Sequence, residues 1–218
     1  SDLLMRNNIK ENLKHIYDFE RLAGRIACGN ANGKDLIALR NSIAVLPEIK
    51  SDLGAAGSEL LRKINDEIDC LTDIYDIIDK AICEEPPFVI KEGGLIKEGY
   101  SEELDNLKFS IKDGKSWISN LENSERERTG IKNLKVGYNR VFGYYLEVTR
   151  SYYDLSPESY IRKQTRDNAK RFITPELKEM ENLVLNAEAK INQMEYDLFT
   201  QVRSFIKGYI KKKKKTSA

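Results

Sequence analysis

The sequence predicts a mainly α-helical protein with a small antiparallel β insert: a bundle of long helices that carries a roughly four-stranded sheet at its tip. Three observations predict this fold class. Apolar residues recur every three or four positions along most of the 218 residues, as in amphipathic helices. Between residues 130 and 174 apolar and polar residues alternate instead, as in half-buried strands. Positive charge collects in this same stretch.

The first half of the chain predicts three helices separated by breaks. Residues 3–28 form the first, and a short second helix follows the loop at 29–35 and ends at Val45, before Pro47. Ser58 can cap the third helix, whose apolar positions form a single stripe: Leu61, Ile64, Ile68, Leu71, Ile74, Ile78 and Ala81. Residues 84–100 contain two prolines and three glycines, so we expect a non-helical segment whose apolar fragments lie extended along the helices.

Two longer helices follow. The first begins at Ser101, and its apolar seam ends at Leu121. Because residues 122–130 are polar, we expect this part of the helix to leave its neighbours and project outward. The second begins at Thr174, which is placed to cap the helix, with Pro175 in the first turn. Its apolar stripe continues to Tyr209, and about 35 helical residues span roughly 50 Å.

Two β-hairpins are predicted between these helices. The first joins strands around residues 133–138 and 144–149 through a five-residue turn, Asn139–Gly143. The second joins residues 160–165 to residues 171–174 through a turn at 165–169. One helix leads out to the first strand and another leads back from the fourth. We therefore expect the first and third strands to run away from the helices, which places both turns at the same far tip.

The β region is strongly basic. Between Arg126 and Arg171 there are eleven Lys and Arg residues against five acids, whereas the formal net charge of the whole chain is +1. Cationic and amide side chains at the tip suit phosphates, and no pattern for reading bases is visible. The candidate nucleic-acid-binding residues are Asn139, Arg140, Arg162, Lys163, Gln164, Arg166, Asn168, Lys170 and Arg171. Strand alternation predicts Arg162 and Gln164 on one face and Lys163 on the other. A small sheet with solvated cations and no ligand is the alternative.

Catalytic, cofactor-binding and metal-binding residues are not predicted. His15 is the single imidazole, and the three cysteines have no CxxC spacing. Gly114, Lys115 and Ser116 imitate the end of a phosphate-binding loop, but the first glycine of that motif is replaced by Phe109. Gly93 and Gly94 are expected to form a simple turn. The sequence has no run of 18 apolar residues and no signal-peptide pattern. The lysines at 211–215 are expected to be a solvated helix end, with attraction to polyanions as the alternative.

Two segments resemble the clamp region of the MutS family of bacterial DNA mismatch-repair proteins: GIKNLKVGYNRVFGYYLEVT at 130–149 and YIRKQTRDNAKRFITPELKE at 160–179. Three others resemble the lever region of the same family: IYDFERLAGRIACGNANGKDLIALRNSI at 16–43, PPFVIKEGGLIKEGYSEELD at 86–105 and DGKSWISNLENSERERTG at 113–130. The resemblance covers nearly the whole chain.

This resemblance implies a β clamp at residues 122–175, inserted in a discontinuous helical lever formed by residues 1–121 and 176–218. It implies that the clamp grips duplex DNA through backbone phosphates without reading sequence, and that the lever links it to a nucleotide-binding domain. For the whole protein it implies a DNA-dependent ATPase that uses ATP and Mg²⁺, forms a homodimer, works with a MutL-type partner and is cytoplasmic.

The sequence departs from the family in what it lacks. No Phe is followed two positions later by Glu, as in the family's mismatch-reading motif, and the P-loop domain and the connector are missing. We therefore expect a non-enzymatic fragment that holds no cofactor itself. The alternative function is a helical protein-interaction or structural module, a coiled-coil scaffold with no direct DNA contact.

Overall fold

The computed structural model describes residues 2–216, and the side chains of residues 3–212. The chain forms two compact units. One contains the residues up to Ser101 together with the chain from Asn192 onward, and the other runs from Glu102 to Ile191. The predicted fold class is confirmed: most described residues are helical, and four strands form one antiparallel sheet. Within residues 2–216 we find no helix with the length and apolar character needed to cross a membrane.

Six helices form the first part of unit one, where the sequence predicted three. They are α1 (Asp2–Lys14), α2 (Phe19–Ala27), α3 (Gly33–Ala44), α4 (Leu46–Gly54), α5 (Glu59–Glu67) and α6 (Thr72–Ala81). The predicted helix at 3–28 is broken because the side chain of Asp18 accepts a hydrogen bond from the N–H of Arg21 and starts α2. Helix α4 was missed, since Pro47 lies in its first turn, where proline needs no helical donor.

The predicted single stripe between residues 58 and 81 is also wrong. Leu71 has φ +50°, and its N–H donates to the side chain of Asp69, so the chain turns between α5 and α6. Lys50 satisfies the carbonyl of Ile68 at this break. Ile74 and Ile78 are buried, whereas α5 contributes no buried residue. The apolar residues have helical spacing, but the hydrogen bond between the Leu71 N–H and the Asp69 side chain marks a break between two separate helices.

The non-helical segment at 84–100 is confirmed except for one short 3₁₀ helix, Ile90–Glu92. Leu95 and Ile96 are buried, and Ile96 pairs with Ile82 in an isolated antiparallel bridge, while Phe88 is exposed. The long helix α8 (Pro175–Thr216) belongs to this unit from Asn192 onward and buries Phe199, Val202 and Ile206 there. Phe205, an apolar residue within the stripe predicted to continue to Tyr209, is about half exposed instead.

Unit two consists of a four-stranded sheet and two helices. Its elements are α7 (Glu102–Thr129), β1 (Lys135–Asn139), β2 (Gly143–Thr149), β3 (Ile161–Thr165), β4 (Ala169–Ile173) and the first part of α8. The strand order is β1-β2-β4-β3, and all neighbours are antiparallel. Thr174 caps α8 as predicted, because its hydroxyl accepts the N–H of Leu177 at 3.1 Å.

One face of the sheet packs on both helices. The buried cluster contains Leu146, Val148 and Phe172 from the strands, and Ile118, Leu177 and Val184 from α7 and α8, together with Ile131, Leu134 and Tyr160. Gly114 lets the two helices approach closely, since a Cβ there would lie 2.7 Å from Cγ2 of Val184. The inner face of the sheet is thereby fixed, and the opposite face carries Tyr145, Glu147 and Arg171.

The sequence predicted that the polar end of α7 leaves its neighbours and projects outward. In the structure it instead bonds to residues beside and within the sheet. Glu122 accepts the N–H of Val136 at 2.9 Å, and Arg126 donates to the carbonyl of Leu134 at 2.8 Å. Glu125 accepts a hydrogen bond from the hydroxyl of Tyr160. These charged residues replace apolar contacts at the edge of the sheet, so a polar helix segment is anchored here without an apolar stripe.

Candidate nucleic-acid interface

The two hairpin turns lie at opposite ends of the sheet, so the prediction that they share one tip is wrong. The two central strands, β2 and β4, are antiparallel: Thr149 pairs with Ala169 and Leu146 pairs with Phe172. The turn at 165–169 therefore lies beside the end of β2, and the turn at 139–143 lies beside its start. The reason is the connection at 150–160, which crosses back along the sheet before β3 begins.

The turn at 139–143 lies against α8. Glu181 accepts the N–H of Tyr144 at 3.0 Å, and Lys178 donates to the carbonyl of Phe142 at 2.6 Å. The side chain of Asn139 is used within the turn, where it accepts the N–H of Val141 at 2.8 Å. Arg140 is exposed at this end. The structure thus separates Asn139 and Arg140 from the other candidate residues.

Four cations and one amide side chain gather around the other turn, and we refer to this group as the basic end: Lys132, Arg150, Arg166, Lys170 and Asn168. The N–H of Arg150 donates to the carbonyl of Asn168 at 3.1 Å, which places β2's last residues beside the turn. The neighbour of Lys132 in sequence, Asn133, bonds to Thr149 through its side chain. Among the described residues, none of these four cations has a carboxylate within ion-pair distance. Asp167, which is exposed in the same turn, is the one acid there.

Lys132 and Arg150 were missed as candidates, although both belong to the basic region of the sequence. Neither lies in a predicted hairpin turn, and only the register of β2 with β4 brings Arg150 to the second turn. Lys170 is partly buried, and its Nζ lies 4.0 Å from the ring centroid of Tyr153. This cation–π contact orients the ammonium group without neutralising it.

Arg171 has a different environment from Lys170. Its Nε lies 2.8 Å from the carboxylate of Glu147, and its guanidinium donates to the side-chain oxygen of Gln164 at 3.0 Å. The same group lies 4.3 Å above the ring of Tyr145. Because the side chain is only 12 % exposed and already paired with a carboxylate, Arg171 adds no free positive charge to the site.

A bulge in β3 changes which faces its residues occupy. Arg162 pairs with Phe172, and Gln164 pairs with Arg171, the preceding residue of β4. Directly paired residues share a face of a sheet, so Arg162 and Gln164 lie on opposite faces and the predicted alternation is wrong. Lys163 lies within the bulge. All residues of β3 are exposed.

The perturbed titratable groups of unit two are Lys115, which pairs with Glu188, and a cluster at the end of α7 formed by Glu125, Arg128 and Tyr160. Burial raises the pKa of Glu125, but hydrogen bonds from Arg128 and Tyr160 outweigh it and leave the pKa below its usual value. Burial, together with the hydrogen bond to Glu125, raises the pKa of Tyr160. These three residues join the end of α7 to the residue before β3, a structural role that needs no chemistry.

The two glycine motifs that imitate phosphate sites are not phosphate cradles. Lys115 follows Gly114 in the middle of α7 and pairs with Glu188 at 2.7 Å. Gly93 and Gly94 form a turn with positive φ values, and the Glu195 carboxylate accepts the N–H of Leu95 at 2.9 Å beside it. A buried carboxylate at that position repels an anion.

The comparison with known proteins first identifies the class of domain. Residues 99–190, which include nearly all of unit two, match the family model described as MutS family domain IV. The sheet and the two helices that support it therefore correspond to one recognised domain type.

The comparison with whole proteins then extends to the full chain. It is 50 % identical over 218 residues to the DNA mismatch repair protein MutS of Halothermothrix orenii, covering 100 % of this chain and 24 % of that protein. It is 52 % identical over 216 residues to the protein of the same name from Lachnoclostridium phytofermentans, covering 99 % of this chain and 23 % of that protein. It is 50 % identical over 211 residues to the protein of the same name from Listeria monocytogenes, covering 96 % of this chain and 24 % of that protein. The chain belongs to the MutS family of DNA mismatch-repair proteins, and it spans about a quarter of the length of these relatives.

Proposed function

We propose that this chain is a non-enzymatic clamp that holds duplex DNA through backbone phosphates, and that the basic end makes the contact. The observation that carries the proposal is the difference between the two groups of cations. Arg150, Arg166 and Lys170 converge at one end of the sheet without carboxylate partners in the described part of the chain, whereas Arg171 is paired. Unpaired cations are the groups that can release counterions from DNA.

The contact does not depend on base identity. The basic end consists of the β3–β4 turn, the end of β2 and the start of a 3₁₀ helix, Arg150–Leu155, and its cations suit phosphates rather than base edges. Asn168 can add an amide hydrogen bond to a phosphate or sugar oxygen. Arg162 and Lys163 continue the positive charge along the exposed edge strand β3. Arg140 and Asn139 lie at the opposite end and are outside the proposed contact.

The salt dependence of binding tests this proposal. If about four phosphates are neutralised, the log–log slope is about −3.6, and affinity falls roughly a hundredfold between 50 and 200 mM salt. The measurement is fluorescence anisotropy of labelled duplexes in which base sequence is varied. All proteins carry Gln in place of the lysines at 211–215, because five tail lysines alone can produce a salt-dependent signal.

Variants locate the contact. Replacing Arg150, Arg166 and Lys170 by Gln together should reduce the magnitude of the slope by about 2.7. Arg140→Gln is the matched control, since it removes one exposed cation of the same β region at the other end of the sheet and should leave the slope unchanged. A flat salt response of the parent chain, or an equal loss per residue in the control, contradicts the proposal.

For the whole protein, the activities implied by family membership belong to parts of the relatives that this chain does not cover. We propose that those parts carry ATP hydrolysis with Mg²⁺, assembly into a homodimer and the contact with a MutL-type partner. We also propose that the whole protein is cytoplasmic. The helices of this chain then link the DNA clamp to the nucleotide-binding domain, because packed helices move as rigid bodies.

A further inference from the structure

Arg171 touches three side chains that belong to two other strands. Tyr145 and Glu147 lie on β2, Arg171 lies on β4, and Gln164 lies on the edge strand β3. Since its Nε is 2.8 Å from the Glu147 carboxylate, the positive charge is neutralised inside the sheet. A guanidinium has five donors in a fixed plane, which suits it to bridging several partners at once.

The edge strand has few other contacts that fix its position. All five residues of β3 are exposed, and its ladder with β4 is irregular between Arg162 and Gln164. Register is weakly specified where neither face of a strand is buried. The hydrogen bond from Arg171 to Gln164, at 3.0 Å, joins β3 to β4 directly after the irregularity.

The basic end depends on this register. Two residues after Gln164, the N–H of Arg166 donates to the carbonyl of Ala169 at 2.7 Å and closes the turn. A shift of β3 by one residue would move Arg166 and Lys163 relative to Lys170, and would turn their side chains to the other face. The placement of the unpaired cations is therefore set by a cation that is itself paired.

We propose that Arg171 is a positioning residue for DNA binding: it takes no phosphate, and it holds β3 in the register that brings Arg166 and Lys163 to the DNA backbone. This inference rests on the proposed function. Lys170, the neighbour of Arg171, has the complementary role of contacting phosphate directly. It has no carboxylate partner within the described residues, and its ammonium group lies on the ring of Tyr153.

Affinity and salt slope separate positioning from direct contact. Arg171→Lys keeps the positive charge but loses the planar fork, so DNA affinity should fall about fivefold while the slope stays the same. Gln164→Ala removes the acceptor and should act in the same direction. Arg166→Gln is the matched variant of a direct contact, and it should reduce the magnitude of the slope by about 0.9. All are measured with the tail lysines replaced by Gln.

A charge exchange provides the rescue. Arg171→Glu alone places two carboxylates across from each other and should weaken binding at least tenfold, a larger loss than for Arg171→Lys, because like charges across a sheet destabilise it. Adding Glu147→Arg restores an opposite-charge pair and the formal net charge, and the Gln164 amide can donate to the new carboxylate. Affinity should return to within about threefold of the parent. If position 171 contacts phosphate, the double variant stays as weak as the single one.

Hydrogen exchange of the β3 amides supplies a readout that needs no DNA. Arg171→Lys should speed exchange at residues 163–165, whereas Arg140→Gln should not, and circular dichroism verifies that each variant is folded. The positioning role is overturned if Arg171→Lys reduces the magnitude of the slope by about 0.9 or leaves the DNA affinity unchanged. It is also overturned if Glu147→Arg fails to rescue Arg171→Glu. If the parent chain shows no salt-dependent binding, the proposed function fails, and unchanged exchange in Arg171→Lys separately overturns the effect on β3.

Discussion

Gly143 fixes the position of the turn between β1 and β2. Its φ is +81°, a conformation that residues with a Cβ rarely adopt. A Cβ at this position would also overlap the carboxylate of Glu181, which accepts the N–H of Tyr144 and pairs with Lys178 at 3.0 Å. The turn can therefore lie against α8 because Gly143, the first residue of β2, has no side chain.

Gly143→Ala should destabilise the protein more than the same change at Gly130. Gly130 has φ +74° but no neighbouring atom within 4 Å of a Cβ, so Ala there introduces backbone strain alone. We expect Gly130→Ala to lower the free energy of unfolding by about 1 kcal/mol, and Gly143→Ala by about 3 kcal/mol. Urea unfolding measures both. Equal losses would mean that Glu181 moves away freely and does not hold the turn.

The residue types at the site were predictable, but their roles were not. Lys170 and Arg171 are adjacent cations in the sequence, and strand alternation only indicates that they point to opposite faces. Their difference comes from Glu147, which lies across from Arg171 in the register of β2 with β4. A carboxylate 24 positions away has no local pattern that marks it as a partner.

At the level of elements, local signals predicted what local chemistry controls. Both hairpins, the Thr174 cap and the long helix α8 were predicted from alternation, capping and apolar spacing. Two predicted helices were wrong because Asp18 and Asp69 bond to nearby backbone N–H groups, an alternative that periodicity does not register. The direction of β3 was wrong because an irregular connection such as 150–160 contains no signal for the end of the sheet at which it finishes.

The contact between α7 and the edge of β1 offers a test at this scale. Glu122 binds the outward N–H of Val136 and pairs with Arg126 at 2.6 Å. Glu122→Ala should lower the free energy of unfolding by about 1 kcal/mol and speed hydrogen exchange at the Val136 amide. Glu127→Ala, at an exposed position on the same helix, is the control and should change neither. Normal protection of Val136 in Glu122→Ala would show that water replaces the carboxylate without loss.

At the scale of the whole molecule, charge is balanced overall but not locally. The chain has 36 Lys and Arg residues and 35 Asp and Glu residues. In unit one several cations form ion pairs. Arg40 bonds to Asp79 at 3.0 Å and to Glu84 at 2.7 Å, and Lys97 bonds to Glu84 at 3.2 Å. This network joins α3, α6 and the segment that follows α6.

The network should make unfolding depend on acid. The hydrogen bond from Arg40, and then that from Lys97, lower the pKa of Glu84 to about 2. A lowered pKa means that the ionised form stabilises the folded state, and that this stabilisation is lost as pH falls from about 4.5 towards 2. Glu84→Gln should therefore reduce the decrease in melting temperature over this window, measured by circular dichroism. The control Glu85→Gln should keep it. If both variants follow the parent, the network does not contribute to acid sensitivity.

The opposite placement of the two turns has a practical consequence. Val141 is 90 % exposed and lies at the end of the sheet that is remote from the basic end. A dye attached through Val141→Cys, after replacement of the exposed Cys28, can report tumbling of the protein without standing in the path of a ligand. The same dye at Asn168 would be shielded by that ligand, so a pair of labelled proteins can map the approach of a binding partner optically.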